Sequence, residues 1–179
     1  MTTPLDAALD RLVRDIPDFP KTGIVFKDIS PLLADAEGLA TTVAALAEMG
    51  RRLVPGGIDA VVGIEARGFI FAAPVALALG AGFVPVRKPG KLPAATHEVS
   101  YALEYGEETL QIHQDGLGAG QRVLVVDDVL ATGGTLRATA ELVQQCGAQV
   151  SGVAMLLELS FLDARSRLDG LNVEALRVV

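Results

Sequence analysis

The segment VLVVDDVLATGGT, residues 123–135, constrains the fold more than any other part of this chain. Four apolar residues lead into two adjacent carboxylates, Asp127 and Asp128, which precede a short loop with two glycines and then a helical pattern. Such an apolar run is typical of a strand buried in a parallel sheet. Because ligands of open α/β sheets bind beyond the carboxyl ends of the strands, we expect the carboxylates and the loop to lie at a binding edge.

The loop ATGGT, residues 131–135, is predicted to bind a phosphate group. It precedes a predicted helix, whose first N–H groups lack partners within the helix and lie at the positive end of its dipole. Gly133 and Gly134 allow close approach of the backbone, and Thr132 and Thr135 add hydroxyl donors. The plainer alternative is a corner whose aspartates cap the helix. Two adjacent carboxylates would then cost stability unless a positive or hydroxylated group met them.

Strand and helix patterns alternate at least three times between residues 59 and 159. Strands are predicted over residues 60–64, 82–88, 122–130, 149–159 and 172–178, and helices over 6–14, 36–53 (capped by Asp35), 68–79 and 135–146. This order favours a parallel sheet with helices on both faces and right-handed crossovers. Residues 18–33, which contain prolines and a glycine, are predicted to be irregular. Residues 99–105 and 108–113 are predicted to form a projecting hairpin or mobile flap.

Composition limits the classes of function. The chain has 179 residues, of which 50% are hydrophobic and 21% charged, so we expect one ordered domain. The formal net charge of −7 offers no positive face for nucleic acid. No apolar run reaches the length of about 18 residues that suggests a membrane span, and no signal-peptide pattern is present. With a single cysteine, Cys146, these features predict a cytoplasmic protein.

Several segments resemble one known family. VVDDVLATGGT resembles the phosphoribosyl-pyrophosphate motif of the type I phosphoribosyltransferases. The further resemblance to the adenine-specific members of that family rests on FPKTGIVFKDISPLL (19–33), GIEARGF (63–69), VPVRKPGKLP (84–93) and SYALEYG (100–106). It covers essentially the whole chain. It implies a single domain over residues 1–179, a twisted parallel sheet flanked by helices, a small N-terminal hood at about residues 1–34 and a flexible flap at about residues 88–114.

The resemblance also implies a reaction and its partners. Members of this family convert adenine and phosphoribosyl pyrophosphate to AMP and pyrophosphate, a step of purine salvage. It implies a homodimer and a magnesium ion that bridges the pyrophosphate and the ribose hydroxyls. Because substrate and water would hold most of that ion, no cluster of protein metal ligands is expected.

Roles in binding the donor follow from the same resemblance. The 5-phosphate is assigned to Ala131, Thr132, Gly133, Gly134 and Thr135, and the ribose hydroxyls to Asp127 and Asp128. Pyrophosphate is assigned to Glu65, Ala66, Arg67, Arg87, Lys88 and Lys91. Some members carry Asp-Ser where this chain has Glu65-Ala66, so Arg67 and the backbone amides are the safer part of the assignment. The plainer alternatives are a surface salt bridge for Arg67 and a solvated charged face for residues 87–91.

Roles in binding the base are assigned to four residues and roles in proton transfer to two. Backbone groups of Val25 and Lys27 would pair with adenine, Phe26 would stack on the purine ring, and Leu159 would close the other face. Ordinary core packing is the alternative for Phe26 and Leu159. Glu104 is the candidate acid–base group at purine N7, with Tyr105 beside it in an undecided role. An exposed hairpin carboxylate is the alternative for Glu104.

Two other functions remain as alternatives. A phosphoribosyltransferase for hypoxanthine–guanine, xanthine or orotate is one. Oxo-purines need a donor at O6, commonly a lysine in this family, and MLLELS (155–160) has no lysine. The other is a DNA-binding regulator that senses the pyrophosphate substrate on the same fold, which would need a basic face. An assay with each base, the donor and magnesium separates these functions.

Overall fold

The computed structural model describes residues 3–102 and 106–179, so Glu104 and Tyr105 lie outside the described part of the chain. The chain divides into two compact units, residues 1–45 and residues 46–179. The helices and strands of the first unit are α1 (Pro4–Leu12), β1 (Arg14–Pro17), β2 (Val25–Asp28), α2 (Ser30–Ala34) and the first part of α3 (Ala36–Leu53).

The first helix and the third helix begin at side-chain caps. Thr3 and Asp6 form a capping box at α1, in which the Thr3 hydroxyl accepts a hydrogen bond from the Asp6 N–H at 3.1 Å. Asp35 caps α3 as predicted, since its Oδ1 accepts from the Gly38 N–H at 2.8 Å. Helix α1 ends two residues before the predicted Arg14, because Arg14 pairs with Asp28 in a β-ribbon.

The prediction that residues 18–33 are irregular was wrong over much of its length. Residues 25–28 form β2, which pairs antiparallel with β1, and residues 30–34 form α2. The prolines misled the prediction because Pro31 lies in the first turn of α2, where its missing N–H costs nothing. Opposite charges face each other across the ribbon, with Lys27 Nζ 2.7 Å from Asp15 Oδ1.

The second unit contains a five-stranded sheet of entirely parallel strands, in the order β4–β3–β7–β8–β9. This confirms the predicted parallel sheet. The strands of this sheet and the helices between them are β3 (Ala60–Ile64), α4 (Arg67–Leu79), β4 (Gly82–Val86), β7 (Arg122–Leu130), α5 (Gly134–Gln145), β8 (Gln149–Glu158), two short 3-10 helices (Ser160–Leu162 and Ala164–Arg167) and β9 (Val173–Val178).

Helices cover both faces of this sheet, as predicted. On one face, α4 packs on β3 and β7, and the last turns of α3 lie so close that a Cβ at Gly50 would be 2.6 Å from Leu124. On the other face, Val123 and Val125 of β7 share a buried cluster with Leu142 of α5. Residues of β3 are buried along its whole length, as expected for a central parallel strand.

The predicted hairpin is present as β5 (Thr96–Ala102) and β6 (Glu107–His113), which pair antiparallel. Its base is anchored in the core, since Leu110 and Ile112 are buried with the residues of β7 and α5. Arg87 and Gln111 exchange two backbone hydrogen bonds at 2.9 and 2.7 Å, which tie β6 to the end of β4. The mobility expected for this segment stays a prediction. Among the described residues, none of the helices combines the length and the apolar composition that a membrane span requires.

Candidate active site at the carboxyl edge of the sheet

Strands β3 and β7 are parallel neighbours, with Gly63 opposite Val126, so the segments that follow them meet at one edge of the sheet. A cleft of about 380 Å³ opens there between these segments and the β5–β6 hairpin. Most of the predicted donor-binding segments therefore converge. The cleft is lined by Ile64, Glu65, Ala66, Arg67, Lys88, Tyr101, Glu108, Leu110, Asp127, Asp128, Val129 and Thr135.

The two adjacent carboxylates form the floor of the cleft. Asp127 Oδ1 accepts a hydrogen bond from the Asp128 N–H at 2.9 Å, and Arg67 Nε lies 2.8 Å from Asp128 Oδ2. The Oδ2 atom is buried, and no described residue donates an aligned hydrogen bond to it. Arg67 therefore neutralises part of the charge of Asp128, but the Oδ2 atom can still accept a hydrogen bond. A ribose hydroxyl or a hard cation is the kind of group that such an oxygen accepts.

Burial perturbs both carboxylates. It raises the pKa of Asp127 well above its usual value, and the nearby charge of Asp128 raises it further. Burial also raises the pKa of Asp128, although the Arg67 guanidinium opposes this shift. The pair is therefore costly to ionise. A ligand that brings positive charge or hydroxyl groups would stabilise the ionised form.

The first turn of α4 must pass close to this pair. A Cβ at Gly68 would lie 2.5 Å from Asp127 Oδ1, so any residue other than glycine would displace the carboxylate. The sequence pattern predicts Gly68 as the first residue of a helix and indicates no role for it. A glycine directly after Arg67, at the start of a helix, was the available signal.

The predicted phosphate loop lies beside the carboxylates. Gly133 is the N-cap of α5 with φ +84°, and no side chain caps the helix there in the described part of the chain. The first N–H groups of α5 are thus available to an anion. A small cavity of about 80 Å³ follows the loop and is lined by Ile64, Asp127, Val129, Leu130, Ala131, Thr132, Gly133, Thr135, Leu136 and Met155.

The basic residues predicted to bind pyrophosphate separate into two groups. Lys88 lines the cleft, whereas the Arg87 guanidinium lies against Glu65, with Nε 3.1 Å from Oε2, and donates to the Lys91 carbonyl at 3.1 Å. Burial alone would raise the pKa of Glu65, but hydrogen bonds from the Lys88 N–H and from Arg87 hold it below its usual value. Glu65 therefore fixes the backbone that precedes Lys88. The side chain of Lys91 is not among the groups that line the cleft.

Two hairpin residues that the sequence reasoning missed also line the cleft. Tyr101 and Glu108 stand directly opposite each other in β5 and β6, and the Tyr101 hydroxyl donates to Glu108 Oε2 at 2.8 Å. The same hydroxyl lies 2.9 Å from Thr135 Oγ1, and Glu108 Oε1 lies 2.5 Å from Lys88 Nζ. The alternation of the two strands was a signal for this pair, but the register depends on the turn and could not be derived from the pattern.

The residues predicted to bind adenine lie in different parts of the chain. Val25, Phe26 and Lys27 belong to β2 of the first unit, where the Phe26 ring meets the Phe19 ring edge to face at 5.2 Å. Leu159 directly follows β8 in the second unit, and its N–H donates to the Leu130 carbonyl at 2.9 Å. Their roles toward a base, like those of Glu104 and Tyr105, stay predictions.

The described residues fit a cation held jointly with substrate. Within residues 3–102 and 106–179 there is no group of three or more His, Cys, Asp and Glu side chains that could hold a metal. Asp127 and Asp128 nevertheless present carboxylate oxygens, which are the ligands that magnesium prefers, and the Oδ2 of Asp128, which has the Arg67 ion pair but no aligned hydrogen bond among the described residues, has capacity for one more partner.

Comparison with known proteins identifies the family. Residues 33–169 match the model of the phosphoribosyl transferase domain. The chain is 60% identical to an adenine phosphoribosyltransferase of Nocardioides sp. over 94% of this chain and 91% of the relative. It is similar to the crystal structure of adenine phosphoribosyltransferase from Thermoanaerobacter pseudethanolicus (TM-score 0.89, 49% identity, 97% and 99% of the two chains). It also resembles the Saccharomyces cerevisiae enzyme, crystallised with adenine and an imino-altritol bisphosphate (TM-score 0.90, 38% identity, 94% and 96% coverage). The chain therefore belongs to the adenine phosphoribosyltransferase family of glycosyltransferases.

Proposed function

We propose that this protein transfers the 5-phosphoribosyl group of phosphoribosyl pyrophosphate to N9 of adenine, giving AMP and pyrophosphate in purine salvage. The observation that carries the proposal is the convergence, in one cleft, of the N-terminus of α5, which no described side chain caps, a buried carboxylate pair and the cations Arg67 and Lys88. These groups match the 5-phosphate, the ribose hydroxyls and the pyrophosphate of the donor. The relatives named above support adenine as the base.

The 5-phosphate binds at residues 131–135, where the first N–H groups of α5 and the hydroxyls of Thr132 and Thr135 donate to it. Asp127 and Asp128 accept hydrogen bonds from the ribose 2- and 3-hydroxyls. As N9 forms its bond to C1, the bond from C1 to the pyrophosphate oxygen breaks and its electron pair leaves with pyrophosphate. The ribose ring gains positive charge meanwhile, which the buried carboxylates stabilise.

Arg67, Lys88 and the backbone amides near Glu65 and Ala66 hold the leaving pyrophosphate, and Arg87 supports this segment through its contact with Glu65. Lys91 contributes positive charge that acts on Glu65, whose pKa it helps to lower. Magnesium, when bound with the donor, neutralises part of the charge that develops on pyrophosphate. Asp127 and Asp128 are the protein groups that would face it, directly or through the ribose hydroxyls and water.

Phe26 stacks on the adenine ring, backbone groups of Val25 and Lys27 pair with its N1 and N6 edge, and Leu159 supplies a further apolar contact to the base. Because adenine must lose one proton as N9 bonds to C1, Glu104 accepts that proton at N7, and Tyr105 assists closure of the flap. Replacing Glu104 by Gln should then lower turnover with adenine by about 10²–10⁴-fold. It should add little with 7-deazaadenine, which lacks N7. An equal loss with both bases would assign Glu104 to closure alone.

The decisive assay incubates the purified protein with phosphoribosyl pyrophosphate, magnesium and one base at a time. We expect nucleotide from adenine and far less from hypoxanthine, guanine, xanthine or orotate. Nucleotide from an oxo-purine at a comparable rate would overturn the base assignment, and none from any base would overturn the enzymatic one. The family resemblance also supports a cytoplasmic homodimer that binds neither nucleic acid nor membrane. Light scattering on the full chain tests the dimer.

A further inference from the structure

A continuous chain of polar contacts joins the two ends of the cleft. Starting at the phosphate loop, the Thr135 hydroxyl contacts the Tyr101 hydroxyl at 2.9 Å. Tyr101 contacts Glu108 at 2.8 Å, and Glu108 contacts Lys88 at 2.5 Å. The chain therefore begins at a group proposed to bind the 5-phosphate and ends at a group proposed to bind pyrophosphate. Both intermediate residues belong to the β5–β6 hairpin.

The direction of each hydrogen bond in this chain can be assigned from the protons available. Lys88 and Tyr101 both donate to Glu108, and they hold its pKa below the usual value, so Glu108 is ionised and acts only as an acceptor. The hydroxyl of Tyr101 has one proton, which Glu108 accepts at 2.8 Å. The Tyr101 oxygen is therefore the acceptor in its contact with Thr135, and the single proton of the Thr135 hydroxyl is already in use.

For the Thr135 hydroxyl to donate to a phosphate oxygen, its hydrogen bond to the Tyr101 oxygen must first break. The ring of Tyr101 lies over the same loop, since a Cβ at Gly134 would be 3.0 Å from Tyr101 Cδ2. At the other end, the charge of Glu108 opposes an anion that approaches Lys88. These contacts thus compete with the donor at both of its charged ends.

We infer that Tyr101 and Glu108 are positioning residues that form a latch, which holds Thr135 and Lys88 until the donor displaces it. The inference rests on the proposed function, because it takes the 5-phosphate to bind at Thr135 and the pyrophosphate to bind at Lys88. It goes beyond that function by assigning opposing roles to two hairpin residues. Neither residue is a ligand of the donor in this scheme, and each lowers the affinity of the protein for the donor.

The sign of the change in affinity tests the latch. Calorimetry would measure ribose 5-phosphate binding to wild type and to Tyr101→Phe, which keeps the ring but removes the competing oxygen. Since a neutral hydrogen bond contributes about 0.5–1.5 kcal/mol, we expect binding to tighten by roughly 2- to 10-fold. Weaker binding would make Tyr101 a direct phosphate ligand, and unchanged binding would make the contact irrelevant. Either result overturns the latch.

The second arm of the experiment measures pyrophosphate binding at fixed magnesium concentration. Glu108→Gln should tighten it by several-fold, because the glutamine no longer holds Lys88 by charge. Glu107→Gln is the matched control, since it removes the same charge from the neighbouring exposed position of β6. If both variants bound pyrophosphate more tightly by the same factor, the cause would be the change in overall charge, and the latch would be overturned. If wild type binds neither ribose 5-phosphate nor pyrophosphate, the proposed function itself fails, a result distinct from binding that the variants leave unchanged.

Discussion

The two ends of strands β3 and β7 carry the same kinds of charged group in opposite arrangements. At the amino end, Asp59 directly precedes β3, and Arg122, the first residue of β7, meets it with two parallel contacts of 3.0 Å. The Arg122 N–H adds a third hydrogen bond at 2.8 Å. At the carboxyl end, Asp127 and Asp128 are adjacent, and Arg67 contacts one of them at 2.8 Å. One end therefore satisfies its carboxylate and the other does not.

The pKa values of these groups express the difference. Hydrogen bonds from the Arg122 side chain and backbone lower the pKa of Asp59 to about 2. Burial and mutual repulsion raise the pKa of Asp127. Since ligands of parallel sheets bind at the carboxyl ends of the strands, the unsatisfied pair lies where a substrate can complete it. The amino end is therefore built for stability, whereas the carboxyl end gives up stability at the place where we propose that the donor binds.

The largest effect should come from exchanging one carboxylate for an amide at each end. Asp128→Asn should lower turnover by roughly 10²–10³-fold, because it removes a preorganised charge that stabilises the cationic ribose. It should not lower thermal stability, since it removes repulsion from Asp127 at a buried position. Asp59→Asn should do the reverse and lower the melting temperature with little change in turnover. Steady-state kinetics and thermal melts of both variants measure the contrast.

This contrast breaks if Asp128→Asn keeps near wild-type turnover at saturating magnesium, because the pair would then be structural. The Arg67 side chain is 41% exposed, so solvent can replace the contact with Asp128 that the variant weakens. A drop in melting temperature as large as that of Asp59→Asn would contradict the interpretation of the carboxyl end.

A second, smaller effect compares glycines rather than charges. Gly133 and Gly80 both have positive φ, +84° and +68°, so an alanine at either position should cost about 1–2 kcal/mol of stability. A Cβ at Gly133 would also lie 3.3 Å from the Ala164 carbonyl, whereas nothing lies within 4 Å at Gly80. Gly133→Ala should weaken donor binding by roughly ten- to hundredfold, the loss of one charge-assisted hydrogen bond, and Gly80→Ala should not.

Calorimetry with phosphoribosyl pyrophosphate measures this difference, and Gly80→Ala controls for backbone strain. Equal donor affinity in the two variants would mean that the loop after β7 does not bind the phosphate. Loss of affinity in both would mean that strain at any helix end disturbs the cleft.

The sequence predicted the carboxyl edge well because its signals are local. The apolar strand 122–130, the adjacent aspartates and the glycine loop stand next to one another along the chain, and the observed β7 has the predicted bounds. The parallel order followed from strand–helix alternation for the same reason. The donor-site roles themselves stay predictions that the experiments above test.

Other features could not be predicted because they depend on contacts distant along the chain. The pair of Asp59 and Arg122 joins residues 63 positions apart, and no local pattern indicates it. Tyr101 and Glu108 meet through hairpin register, and their contacts with Thr135 and Lys88 depend on how the hairpin packs on α5. The β1–β2 ribbon was missed because each strand has four residues and the prolines around them suggested a loop.

A third prediction uses pH to separate the two ends. The folded pKa of Asp127 lies above 3.8, so as pH rises past that value the unfolded chain releases its proton first and this group's contribution to stability falls. For Asp59, whose folded pKa is about 2, the contribution is present above 3.8 and is lost as pH falls toward 2. As pH rises above about 4, the free energy of unfolding of Asp127→Asn should therefore increase relative to that of wild type. As pH rises from about 2 to about 4, the free energy of unfolding of Asp59→Asn should decrease relative to that of wild type.

Denaturant melts between pH 2 and pH 7 measure both differences. Parallel curves for Asp127→Asn and wild type would contradict a raised pKa in the folded protein. Asp59→Asn serves as the internal control. Its free energy of unfolding should change relative to wild type in the opposite direction between about pH 2 and pH 4, and the difference should stay constant at higher pH.

The smallest expected effect is the response of each end to salt. The side chains of Asp59 and Arg122 are 35% and 41% exposed, whereas that of Asp128 is 7% exposed. Salt screens exposed charges strongly, because the Debye length falls from about 10 Å at 0.1 M to about 3 Å at 1 M, and it screens buried charges far less. The melting-temperature difference between Asp59→Asn and wild type should therefore shrink in 1 M sodium chloride. The difference between Asp128→Asn and wild type should persist, since relief of repulsion between two buried carboxylates does not require solvent ions.

Thermal melts at the two salt concentrations test both statements on the same samples. If the Asp128→Asn difference disappeared in salt while that of Asp59→Asn remained, the carboxyl-end pair would be the more solvated of the two. Burial could then not be the cause of its raised pKa values.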